Sequence, residues 1–156
     1  LVPYVDVLIA NEEDAKDVFG IEASDTDIMS GKLNHEGYVS VAEQLTRRFA
    51  CKAVAITLRG SISATENNWA GMLYTDGKAY FSKNYLIRLV DRVGGGDSFG
   101  GGLIHALRKK MDKQSVIEFA VAASCLKQTI EYDFNLVSEK DVLALMGGNA
   151  SGRVQR

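Results

Sequence analysis

Six glycines fall within nine residues in the run Gly94-Gly95-Gly96-Asp97-Ser98-Phe99-Gly100-Gly101-Gly102, between a segment that suits strands and one that repeats at helical spacing. Upstream, residues 78–90 are rich in aromatic and aliphatic side chains. Downstream, Phe99, Leu103, Ile104, Leu107 and Met111 recur at the spacing of one helical face. The first glycines therefore join a strand to a helix, which fits an α/β fold. Glycine lets backbone N–H groups turn toward a ligand with no side chain in the way, and the first amides of a helix carry partial positive charge. Phosphate is the natural guest.

Two well-known phosphate loops fail here on specific residues. A dinucleotide fingerprint read from Gly94 and Gly96 needs glycine where Phe99 stands, and a Walker A loop needs a Lys-Ser or Lys-Thr pair that is absent. What remains is glycines with Asp97 among them. A carboxylate inside an anion site costs electrostatic energy unless chemistry uses it, and the obvious use is to accept the proton of an attacking hydroxyl. This points to phosphoryl transfer onto an alcohol. The plain alternative is a glycine-rich turn in which Asp97 or Ser98 caps the helix.

Composition narrows the class further. With 156 residues and 46% hydrophobic content the chain can bury a core and fits one domain, read as residues 1–147 with a tail over 148–156. A net charge of -2 gives no basic footprint for nucleic acid, and no apolar stretch is long enough to span a membrane. Cys51 and Cys125 are too few and too far apart in sequence for a disulfide framework or a zinc site, so a reducing cytoplasm is the expected location. The chain opens on Leu1-Val2-Pro3 without Met and enters a strand almost at once, so a preceding segment is expected.

Along the chain, residues 4–10 read as a strand, 12–19 as a helix stopped by Gly20, and 24–36 as a polar loop. Val39, Ala42, Leu45 and Phe49 share one helical face, and residues 53–58 form the next strand. Residues 70–74 and 78–82 flank Thr75-Asp76-Gly77, where Asp-Gly favours a tight hairpin. After the Asp97 helix come a second, Ala-rich helix over 115–127 and a third over 138–146 with Ser138 as cap. Alternating strands and helices imply a mostly parallel sheet with helices on both faces and ligands at the carboxyl ends of strands. Asn11, the Thr57-Leu58-Arg59-Gly60-Ser61 segment and residues 91–97 each follow a strand, so three loops should line one crevice. Asn11 as an ordinary helix cap and Arg59-Gly60 as an ordinary turn stay open.

The run Asp91-Arg92-Val93-Gly94-Gly95-Gly96-Asp97-Ser98-Phe99, followed by Gly101-Gly102-Leu103-Ile104, resembles the C-terminal signature of the ribokinase-like (PfkB) family of ATP-dependent sugar kinases. With Leu126-Lys127-Gln128-Thr129-Ile130 and the segment Asp133-Phe134-Asn135-Leu136-Val137-Ser138, it is most similar to the 2-keto-3-deoxygluconate kinase branch. The resemblance runs from Tyr4 to the C-terminus and covers about the second half of a family member. It implies a three-layer αβα, Rossmann-like fold of which this is the C-terminal, nucleotide-binding part.

The resemblance also implies roles. Asp97 matches the catalytic base, and Gly94, Gly95 and Gly96 match the anion hole around the transferring phosphoryl group. Thr57, Arg59, Gly60 and Ser61 match the nucleotide-side loop, and Ser124 lies on a helix that often borders adenine, although close helix packing is the preferred reading of Ala120 to Ala123. Asn11 opens an Asn-x-x-Glu motif that organises Mg2+, whose fourth position here is Asp14. The implied reaction is ATP-dependent phosphorylation of 2-keto-3-deoxygluconate at its 6-hydroxyl. The alternatives are another acceptor of the same class, such as fructose, ribose or a nucleoside, and a non-catalytic nucleotide-binding fragment. A small sugar or sugar acid is thus the expected partner, without nucleic acid or membrane, and a homo-oligomer is compatible. His35 and His105 have no second ligand at metal spacing and are read as filler. Trp69 and the hairpin aromatics are read as packing or dimer surface.

Overall fold

The computed structural model describes residues 2–11 and 35–148. The expected helix over 12–19, most of the loop over 24–36, Asp14 and residues 149–156 lie outside the described residues.

The sequence alternation around Ala53-Val54-Ala55-Ile56 sets the layers. A strand sends successive side chains to opposite faces, so a run apolar at every position must be covered on both. The strands are β1 (Val7–Ala10), β2 (Ala53–Ser61), β3 (Glu66–Thr75), β4 (Lys78–Phe81) and β5 (Tyr85–Arg88), and they form one five-stranded sheet. Val54, Ile56, Leu58, Ala70, Met72 and Tyr74 face helix α1 (His35–Phe49), which buries Tyr38, Val41, Ala42 and Leu45 against them. Ala53, Ala55 and Leu73 face the other way, toward α2 (Gly95–Arg108) and α3 (Lys113–Lys127), with α4 (Glu139–Met146) outside them. The αβα layering implied by the sequence is thus present. Each large aliphatic side chain buried in it contributes roughly 1.5–3 kcal/mol relative to exposure.

The pairing is mixed rather than mostly parallel. Among the described strands only β1 and β2 pair in parallel, whereas β2–β3, β3–β4 and β3–β5 are antiparallel. Short connections enforce this, because parallel neighbours need a crossover of a dozen or more residues. The β3–β4 turn is the expected one, with Asp76 and Gly77 both at positive φ (52° and 73°), as a tight hairpin requires. Strand β5 returns to the same edge of β3 that β4 occupies, so it runs in the direction of β1 and β2. The carboxyl ends of β1, β2 and β5 therefore open on one side of the sheet, as the crevice reading requires.

The helices begin where local chemistry says they should. Ser138 caps α4 in a reciprocal box with Asp141, and Asp112 caps α3 by accepting from the Ser115 amide at 3.1 Å. Helix α3 is buried on nearly every side. Gly102 lets α2 approach it closely, since a β-carbon there would stand 3.1 Å from both Ala120 Cα and Ala123 Cβ. Close packing is therefore what the alanines do.

Candidate active site

Strand β5 ends at Arg88, and the chain crosses the open end of the sheet before entering α2 at Gly95. The residue that caps this helix is Gly94, in the left-handed region at φ 78°, and not Asp97 or Ser98. The capping alternative thus gives way: Asp97 lies in the first turn with its side chain exposed, and the Ser98 hydroxyl accepts from Asn135 at 3.1 Å. Gly95 N donates to Arg92 O at 3.2 Å and Ser98 N to Gly94 O at 2.9 Å. Between them, the amides of Gly96 and Asp97 meet no backbone acceptor among the described residues. Two N–H groups without a backbone acceptor thus stand at the positive end of a helix dipole, with a carboxylate on the same turn, and helix ends of this kind suit anions.

The turn is braced from beneath. Asp91 accepts from the amides of Val93 (3.0 Å) and Tyr132 (3.1 Å) through its two oxygens. The amides of Val90 and Asp91 donate to Gln128 O at 2.9 and 3.3 Å. Ser124 is fully buried and donates its hydroxyl to Gly95 O at 2.7 Å. The structure therefore puts Ser124 behind the glycine turn, where it fixes Gly95 rather than lining a ligand cleft.

Two clefts flank this turn. One, of about 280 Å³, is walled by Asn11 after β1, Thr57 and Arg59 on β2, Arg92, Gly95, Gly96 and Gln128. Residues from the three segments expected to share a crevice do share it, but Thr57 to Ser61 form neither a loop nor a turn: β2 continues through them, paired with β3 as far as Ser61. Gly60 and Ser61 end β2 beyond its lining, and Asp14 lies outside the described residues. The other cleft, of about 500 Å³, has Asp97, Ser98, His105, Asp133 and Asn135 in its walls.

Several residues at these clefts escaped the sequence reading. Asn67 and Trp69 lie in the lining of the smaller cleft, and Asn67 Nδ2, Asn67 Oδ1 and Trp69 Nε1 are buried without a hydrogen-bond partner among the described residues. They reach it through register, since Trp69 pairs with Arg59 and Asn67 with Ser61 across β2 and β3. Nothing local marks them. Arg92 also pins a neighbouring turn by donating to Ala64 O at 3.0 Å. His105, read as filler, stands in the wall of the larger cleft, stacked on Phe119 with ring centroids 5.2 Å apart. Its Nε2 lies 3.4 Å from Glu139 Oε1, off the line of a good hydrogen bond. That approach, with Lys109 beyond it, holds the Glu139 carboxyl below its ordinary value.

The sequence profile of the pfkB family carbohydrate kinases matches residues 1–132, a span that holds the glycine turn and the arginine-lined cleft. The chain belongs to this family. Among pfkB relatives, a 2-dehydro-3-deoxygluconokinase from Thermotoga maritima is 48% identical, with a TM-score of 0.87 over 94% of this chain and 43% of its own. A PfkB family carbohydrate kinase from Listeria grayi is 30% identical, with a TM-score of 0.79 over 94% of this chain and 42% of its own. A 2-dehydro-3-deoxygalactonokinase of Haloferax volcanii is 24% identical over 97% of this chain and 41% of its own length. The chain thus spans about two-fifths of the pfkB relatives it matches, and its fold is the ribokinase-like one they share.

Proposed function

We propose that the protein carrying this chain is an ATP-dependent sugar-acid kinase that phosphorylates 2-keto-3-deoxygluconate on its 6-hydroxyl by direct in-line transfer. The observation that carries this reading is the first turn of α2, where the exposed Asp97 carboxylate stands beside the open amides of Gly96 and Asp97. Likeness to the Thermotoga maritima 2-dehydro-3-deoxygluconokinase supports the choice of acceptor.

In this reading Asp97 takes the proton of the acceptor hydroxyl as its oxygen attacks the terminal phosphorus. The Gly96 and Asp97 amides face the oxygens of the transferring group, where negative charge is spread most widely. Arg59 and Arg92 oppose the nucleotide phosphates from the walls of the smaller cleft, and Thr57 offers a hydroxyl on the same wall. Gly94 and Ser124 keep the turn in shape.

Magnesium fits this set of residues. Among the described residues no group of three or more His, Cys, Asp or Glu side chains stands where it would hold a metal, but Mg2+ on a nucleotide keeps several waters and needs few protein oxygens. Asn11, which lines the same cleft as Gly95 and Gly96, would hold it through water, with Asp14 as the second proposed contact. Bound there, Mg2+ would offset charge on the phosphates. Cys51 and Cys125 are both free and buried, and a cytoplasmic location belongs to the same proposal.

The test is turnover of the protein with Mg-ATP and a panel of 2-keto-3-deoxygluconate, its galactonate epimer, fructose and ribose, for wild type and Asp97→Asn. Fastest turnover of 2-keto-3-deoxygluconate is expected. Asp97→Asn should lose about 10²- to 10⁴-fold in kcat, the usual worth of a positioned base, with little change in KM for ATP. Unchanged turnover in Asp97→Asn would sink the assignment of the base; preference for another acceptor would overturn the substrate.

A further inference from the structure

Lys127, the last residue of α3, is fully buried and is among the largest side chains in the protein with no exposed surface. Lysine is almost never buried to this degree without a charged partner, because removing an ammonium from water is costly. Among the described residues no carboxylate oxygen comes within 4 Å of it; its Nζ donates to the carbonyl of Ile130 at 3.3 Å. The charge is therefore not held in place by an ion pair.

Its position suggests what it does. A β-carbon built on Gly94 would stand 3.2 Å from Lys127 Cε and 2.4 Å from the Asp133 carbonyl oxygen. The stem of Lys127, the turn over residues 128–133 and the cap of α2 thus meet at one point. Asp91 and Gln128 join the same two segments from the side, through Tyr132 N, Val90 N and Asp91 N. Ile130 O, which accepts from Nζ, and Asp133 O, beside the Gly94 cap, are carbonyl oxygens that suit a cation, and the carboxyl end of α3 adds to that preference.

We infer that the Lys127 ammonium is the built-in cation of the glycine turn: it ties the 128–133 turn against Gly94 and so keeps the amides of Gly96 and Asp97 aimed at the phosphoryl group. Lys127 is a positioning residue, since it acts through Gly94 and touches no substrate. Because its charge is covalently attached, the turn needs no free monovalent ion to hold its shape. The inference rests on the phosphoryl-transfer reading of the turn.

The experiment compares wild type, Lys127→Met and Lys127→Ala in the chlorides of sodium, potassium, ammonium and tetramethylammonium at equal ionic strength. It reads both turnover and melting temperature. Wild type should give the same kcat and melting temperature in all four salts. Lys127→Met, which keeps the stem and loses the charge, should lose about 10- to 100-fold in kcat, the scale of a misplacement near 1 Å, with KM for ATP changed far less. In Lys127→Ala, ammonium or potassium should restore part of kcat and raise the melting temperature, while tetramethylammonium, too large for the vacated space, should do neither. A purely structural lysine would not show that ion selectivity. Potassium activation of wild type, or Lys127→Met with wild-type kcat, would overturn the inference. If wild type phosphorylates no acceptor, the kinase reading fails, and the melting temperatures still decide: ion-selective stabilisation confined to Lys127→Ala supports the built-in cation, and its absence there or presence in wild type refutes it.

Discussion

Replacing Gly94 and Gly96 by alanine, one at a time, separates the two duties of the glycine turn. At Gly94 the backbone is left-handed, φ 78°, which costs a residue with a β-carbon about 1–2 kcal/mol. The new methyl would also stand 2.4 Å from Asp133 O, so about 1 Å of movement is needed to reach ordinary contact at 3.4 Å, and Lys127 Cε at 3.2 Å blocks retreat. Forced packing of this kind adds about 1–3 kcal/mol, for a total near 2–5 kcal/mol. Gly96 differs in both respects: it lies inside the first turn of α2 and a β-carbon there meets nothing within 4 Å. Alanine is the better helix former by up to about 1 kcal/mol, so Gly96→Ala should be as stable as wild type or slightly more. Its methyl would nevertheless stand at the mouth of the arginine-lined cleft, beside the open amides. Urea unfolding and steady-state turnover on both variants form the assay. Gly94→Ala should lose stability and activity together, Gly96→Ala activity alone. The reasoning is refuted if Gly94→Ala unfolds within about 0.5 kcal/mol of wild type, or if Gly96→Ala is the less stable of the two.

Two further outcomes follow from buried groups. Asn67 buries both amide atoms at the smaller cleft without partners among the described residues, so Asn67→Leu should leave stability unchanged or raise it by about 1 kcal/mol while weakening Mg-ADP binding in a calorimetric titration; lower stability with unaltered binding would mean that the amide serves the fold alone. Burial pushes the Cys125 thiol from 9.0 up to about 12, and burial, then Glu118 and Cys125, push the Tyr85 hydroxyl from 10.0 up to about 12. The unfolded chain sheds these protons first, so the stability they contribute is complete below about pH 9 and is lost as pH rises toward 12. Urea midpoints should fall across that window and fall less in Cys125→Ala, and a flat wild-type profile would count against the burial of both groups.

What the sequence made legible was local. The glycine turn, the Asp76-Gly77 hairpin and the Ser138 cap each depend on a few adjacent residues whose backbone preferences leave little choice. The gathering of Asn11, Thr57, Arg59 and the glycines was legible too, although Thr57 and Arg59 reach the cleft from within β2, which runs on to Ser61, and not from a loop after its end. What failed depended on partners distant in sequence. The parallel pairing was inferred from alternation, yet β5 lies beside the first half of β3 because β4 takes only the second half. Asn67 reaches its cleft by cross-strand register. Lys127 closes the Ala-rich helix expected over 115–127 with nothing local to mark it as buried, and only the packing of the 128–133 turn against Gly94 shows it to be interior. The alternative of a cap at Asp97 or Ser98 rests on side-chain preference, whereas Gly94 supplies the left-handed backbone that this entry into the helix uses.

The division of one sheet edge between β4 and β5 has a bearing on solubility. An unbroken edge strand offers a ladder of amides and carbonyls to any passing chain, and proteins that stay dispersed shorten or cover such edges. Here neither segment exceeds four residues, and the gap between them is turned inward: Ser82 exchanges hydrogen bonds with Gly71 through its amide and its hydroxyl. Gln114 of α3 takes the Phe81 carbonyl at 2.7 Å, Glu118 takes the Lys83 amide, and the Lys83 ammonium reaches Met146 O at 2.6 Å. A strand from another molecule would find only a few contiguous bonding groups before meeting a lysine and a helix, so this border of the sheet is closed to growth.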